Sequence, residues 1–131
     1  MTIDFKTIEY LKSGNSIQYK AYKVLTDSEI MVVLKEYDPI LAGTIPIGIN
    51  VTGSDLDILC YARDLAEFST FVNTHFGEKD EYTTWERGEG KYKAVVASFR
   101  LEVFGIELFG QNIPPTEQQA YRHMIIEYKL L

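Results

Sequence analysis

Two short apolar runs, Ile40-Leu41-Ala42 and Leu56 to Tyr61, flank a stretch punctuated by glycine and proline, and Ser54-Asp55-Leu56-Asp57 leads into the second. Apolar runs of this length bounded by Gly and Pro read as strands, so the centre of the chain is expected to be sheet. Side chains alternate along a strand, which puts Asp55 and Asp57 on one side, about 7 Å apart. Neighbouring carboxylates repel each other unless one is protonated or a cation lies between them. Mg²⁺, or Mn²⁺, suits such a pair, because a hard cation binds through one or two carboxylates and completes its shell with phosphate oxygens. At the end of the first strand, Gly43-Thr44 offers backbone N–H groups and a hydroxyl to a phosphate, since glycine lets a ligand approach the main chain.

Helices are expected on both sides of this centre. Asp4 caps a segment carrying Phe5, Ile8 and Leu11 and ended by Gly14, and Ser16 caps another with Ile17, Ala21, Val24 and Leu25 on one face. A third runs from Ser28 through Ile30, Val33, Leu34 and Tyr37 to Asp38-Pro39, where the residue before proline avoids helical angles. Beyond the second strand, Asp64 caps a helix whose inward residues are Leu65, Phe68, Phe71 or Val72, and Phe76, ending at Gly77. Tyr82 to Trp85 then pairs with Tyr92 to Glu102 through Gly88-Glu89-Gly90, and Ile106 to Phe109 follows a turn at Gly105. Pro114-Pro115-Thr116 opens a last helix, with Thr116 and Gln119 as a capping box and Ala120, His123, Met124, Glu127 and Leu131 as its stripe. The expected fold class is α+β (α/β in the looser sense). A mixed β-sheet is flanked by helices, with an N-terminal helical segment and a C-terminal helix, in one domain over residues 1–131.

Nineteen acidic against thirteen basic residues leave a net charge of -6, a field that repels polyanions and argues against general nucleic-acid binding. The single cysteine, Cys60, cannot form an intramolecular disulfide or a zinc cluster, which points to a reducing, cytoplasmic setting. Neither an export signal nor a membrane span is discernible.

Glycine, threonine, three residues, glycine, five residues and Ser-Asp-x-Asp fall on Gly43, Thr44, Gly48, Ser54, Asp55 and Asp57 without insertion or deletion. This resembles the signature of the nucleotidyltransferase superfamily of DNA polymerase beta, especially its small bacterial members. The tail, with Ile106 to Gln111, Gln118, Tyr121 to Met124 and Glu127, is similar to the bacterial domain-of-unknown-function family 4269. Together the two resemblances span residues 38–131. Family chains continue with further helix where this sequence ends at Leu130-Leu131, an end expected to leave apolar helix surface uncovered.

The resemblance implies a third carboxylate on a later strand. Glu107, alone among Ile106, Leu108 and Phe109, is preferred, because burying its charge is costly without a metal or a donor. Glu102 is expected to pair with Arg100, two residues away on the same face. The signature often carries arginine before its second glycine, where this chain has Ile47. Arg87, Lys91, Lys93, Arg100, Arg63 and Arg122 are the bases that could replace it, although a solvated rim is the preferred reading of any single one of them. His75 reads as solvent-facing or capping, His123 as packed in the last helix, Cys60 as core, and Trp85 with the tyrosines as sheet residues.

What the resemblance implies is a magnesium-dependent transfer of a nucleoside monophosphate from a nucleoside triphosphate to an unknown hydroxyl acceptor. Asp55, Asp57 and Glu107 would be both catalytic and metal-holding, and Gly43, Thr44, Gly48 and Ser54 would bind phosphate. The alternative is an inactive nucleotide-binding or protein-interaction module of the same fold. A homodimer through the last helix is a further partner to test.

Overall fold

The computed structural model describes residues 2–49 and 55–131. Its strands are β1 (Ile40–Ala42), β2 (Leu56–Tyr61), β3 (Thr83–Arg87), β4 (Ala94–Leu101) and β5 (Phe104–Gln111). They form one sheet in the order β1-β2-β5-β4-β3. Only β2 and β5 run parallel; the other neighbours are antiparallel. Helices α1 (Ser16–Asp27), α2 (Ile30–Val33), α3 (Leu65–Phe76) and α4 (Gln119–Leu130) complete the mixed α+β architecture.

Alternation along the strands divides the core. Ile58, Cys60, Ala97, Phe99 and Leu108 point to one face and pack against α1 and α3, including Leu25, Phe68 and Val72. On the other face, Leu59 joins Phe5, Ala42, Ile47 and Met124 in a smaller cluster. The second cluster covers only one end of its face, and the uncovered part bears the acids.

Helix α1 is capped by Asn15, not Ser16: the Asn15 side chain accepts from the Gln18 N–H, and the Gln18 side chain accepts from the Asn15 N–H, both at 2.9 Å. The same Gln18 amide donates to the carbonyls of Ile45 and Pro46, so the cap also anchors the turn after β1. Asn15→Ala is expected to cost about 1 kcal/mol in urea unfolding, with up to about 2 if the Gln18 amide is also released. No change in the urea midpoint would remove this role.

Other local expectations are corrected. The first segment is a 3₁₀ helix over Glu9–Ser13, and Asp4 accepts from the Lys6 N–H in a tight turn instead of capping an α-helix. The turn at Asp4 leaves only a short stretch before Gly14, and 3₁₀ helix is commonly used in such short pieces. The β4–β5 turn is Glu102-Val103, with Glu102 at φ +54°, while Gly105 sits inside β5 opposite Arg100. Arg100 pairs with Glu81 at 3.5 Å, not with Glu102. Thr116 and Gln119 make no capping box: a 3₁₀ turn over Pro115–Glu117 precedes α4, whose cap position Gln118 makes no side-chain cap bond. The buried stripe of α4 is Met124 with half-buried Tyr121, Ile125 and Tyr128, so Ala120, His123 and Leu131 lie outside the packed face. No helix among the described residues is long and apolar enough to cross a membrane.

Candidate active site

Parallel pairing of β2 with β5 sets Asp57 directly beside Glu107. Paired residues of adjacent strands share a face about 4.8 Å apart, so the two carboxyls stand side by side. The same row continues to Ser98 on β4 and Thr83 on the β3 edge, and to Ala42 on β1 at the opposite edge. Asp55 precedes β2 and its carboxylate lies against Gly105, one step along the face. A side chain at Gly105 would occupy the space that Asp55 takes.

Gly43 closes the site from the end of β1. Its φ of +101° disfavours any side chain, and a Cβ there would come within 3.1 Å of the Asp57 carboxylate oxygen. The chain therefore passes over the acid with its backbone bare. Thr44 follows, and its carbonyl accepts from the Ile47 and Ile49 N–H groups, which folds residues 45–47 into a 3₁₀ turn held by Gln18. Gly48, at φ +79°, ends that turn beside the Asn15 and Gln18 side chains, away from the acids. Ser54 lies outside the described residues.

Burial and the proximity of Glu107 and Asp55 together push the Asp57 carboxyl up from 3.8 to about 7. Such a shift marks a carboxyl that is both buried and crowded by like charges, a common feature of functional sites. Among the described residues, no group of three or more His, Cys, Asp or Glu side chains is gathered into a complete metal cage. A magnesium ion needs none, since one or two carboxylates with substrate phosphates satisfy it. By donor chemistry, Asp57 and Glu107 fit.

A cleft of about 900 Å³ opens above this row, lined by Gly43, Thr44, Asp57 and Glu107 on its floor. One wall is α4, with Arg122, His123 and Glu127; the other is the β3–β4 connection, with Arg87, Gly88 and Tyr92. His123 thus faces the cleft, contrary to its expected packing within the helix. His75 is exposed and stacks on Phe71, with its Nδ1 2.9 Å from the Phe71 carbonyl. Cys60 is fully buried on the opposite face, where burial pushes its thiol up. Lys93 is held by Glu86 at 3.0 Å, Lys91 lies over the Tyr92 ring and Arg63 over Tyr61. Neither Tyr92 nor Gln111 is given a role in the site by the sequence reading. The Gln111 amide donates to the Tyr92 carbonyl at 2.7 Å and ties the β3–β4 connection to the cleft. Only the strand pairing brings these two together, so no local signal could reveal them.

Comparison with known proteins adds family and fold. No curated protein matches the sequence. The solved structure of a cytoplasmic RNA terminal U-transferase superposes with a TM-score of 0.53 at 9% identity, covering 94% of this chain. This chain spans 38% of that protein's length, and at such identity the likeness is one of fold, nucleotidyltransferase-like. Residues 23–131 match the model of a domain of unknown function, DUF4269, and the chain belongs to that family.

Proposed function

We propose that this protein is a magnesium-dependent nucleotidyltransferase that moves a nucleoside monophosphate from a nucleoside triphosphate to a hydroxyl acceptor. The observation that carries the reading is the register of β2 against β5, which sets Asp57 beside Glu107 on the floor of an open cleft with Gly43 against the acid. Asp57 and Glu107 would hold the ion, with Asp55 at the end of the same face. When bound, Mg²⁺ neutralises charge on the α-phosphate and the leaving pyrophosphate. Gly43 and Thr44 line the floor where backbone groups can meet phosphate oxygens. Gly48 and Ser54 are the signature's remaining candidates for phosphate binding. In the transfer, the acceptor oxygen attacks the α-phosphorus and the α–β P–O bond breaks. Pyrophosphate leaves with that electron pair, and the acceptor's proton passes to water in the open cleft.

One observation favours the inactive module instead: Ile47 is buried in the apolar cluster and brings no charge to the cleft. Pyrophosphate release separates the two readings, because only transfer produces it.

Binding is tested by calorimetric titration with ATP, CTP, GTP and UTP, with and without magnesium. Asp57→Asn and Glu107→Gln are each expected to weaken magnesium-linked nucleotide binding tenfold or more, since a neutral amide is a poorer ligand for a hard cation. Glu102→Gln, on the exposed turn, is expected to change it less than about twofold. Unchanged binding in both Asp57→Asn and Glu107→Gln would remove the metal site and the reaction with it.

A further inference from the structure

We propose that Arg87 and Arg122, reaching the cleft from opposite walls, bind the outer phosphates of a nucleoside triphosphate; this rests on the nucleotidyltransferase reading of the same cleft. Its floor is acidic and Glu117 and Glu127 add to its lining, so an anionic substrate enters only where cations offset that field. The described Arg and Lys residues lining the cleft are Arg87 and Arg122.

Among the described residues, each arginine has its side-chain donors uncommitted. Arg87 pairs with Ala94, which pairs with Gln111, so all three share the face that carries Asp57 and Glu107. Its guanidinium lies 5.9 Å from the Trp85 ring centroid, a contact that steadies the group and uses none of its N–H donors. The Gln111-to-Tyr92 bond holds the connection just beyond Arg87 in place. Arg122 is an exposed residue of α4 that lines the cleft, while Met124 buries another side of the same helix against the sheet. Among the described residues, neither arginine forms an ion pair, whereas Lys93 and Arg100 are paired with Glu86 and Glu81. Two planar forks facing one space suit the adjacent tetrahedral anions of a β,γ-diphosphate, which guanidinium groups bind bidentately.

The experiment compares magnesium complexes of inorganic tripolyphosphate, ATP and AMP, titrated into the full chain and into Arg87→Gln, Arg122→Gln, the double variant and Lys93→Gln. Each arginine variant is expected to weaken tripolyphosphate and ATP binding about tenfold. AMP binding should change less than twofold, Arg→Lys should restore part of the loss, and Lys93→Gln should leave all three affinities alone. Thermal melting of every variant guards against misfolding, which is not expected of exposed arginines. Wild-type affinity for ATP in the double variant, or an equal loss for AMP, overturns the assignment. Tripolyphosphate binding that needs both arginines but is unaffected by Asp57→Asn keeps the anion site and removes the metal-dependent reaction. A wild-type chain that binds neither tripolyphosphate nor ATP overturns both.

Discussion

At pH 8, without divalent cations, Asp57→Asn is expected to be more stable than the wild-type chain, by as much as about 4 kcal/mol. Folding buries this carboxyl between Glu107 and Asp55 and raises it from 3.8 to about 7, which is roughly three units at about 1.36 kcal/mol each. The sign follows from proton binding. Between those two values the folded chain holds a proton that the unfolded chain has lost, so stability falls as pH rises through the interval. Below pH 4 both states are protonated and the penalty vanishes; above pH 7 it is complete. The figure is an upper bound, since water reaches one side of the carboxyl through the cleft. Urea unfolding in EDTA at pH 4 and pH 8 checks it: the gain should appear at pH 8 and shrink toward zero at pH 4. An equal gain at both would mean that the amide acts through packing, not charge. Added magnesium should narrow the difference by stabilising the wild type alone.

A loss of comparable size is expected for Phe68→Ala, about 3–5 kcal/mol. Phe68 is fully buried near the start of α3, with its ring edge-on to Tyr37 at 5.0 Å and pressed on Gly110 of β5. The helix lies so close to the strand that a methyl at Gly110 would overlap the ring. Gly110→Ala should therefore cost about 1–3 kcal/mol by overpacking in the wild-type chain. In a Phe68→Leu background the same methyl meets a smaller side chain and should cost clearly less, a coupling that a double-mutant cycle measures. Additive effects would show that the ring and the glycine do not constrain one another. Because β5 also carries Glu107, loss of this contact should loosen the acid row as well as the core.

What the residues themselves determine lies in short-range chemistry. The apolar runs at 40–42 and 56–61 are β1 and β2, Asp64 caps α3 by accepting from the Glu67 N–H, and Gly77 ends it. Alternation alone sends Asp57 and Cys60 to opposite faces, and the spacing from Gly43 to Asp57 carries the resemblance to the nucleotidyltransferases. Each of these depends on neighbours within a few residues, where capping and steric preferences act directly. Tertiary structure decided what depends on distant partners. The Glu102-Val103 turn follows from pairing of Leu101 with Phe104, which left Gly105 in the strand, where the Asp55 carboxylate needs its missing side chain. The inward face of α4 was settled by the space above Leu59 and Phe109, so Tyr121, Ile125 and Tyr128 turned in and His123 turned to the cleft. Glu107 stands beside Asp57 because β5 enters between β2 and β4 and runs parallel to β2. Fifty residues separate the two acids in the chain, and only the burial of a common sheet face brings them into one row.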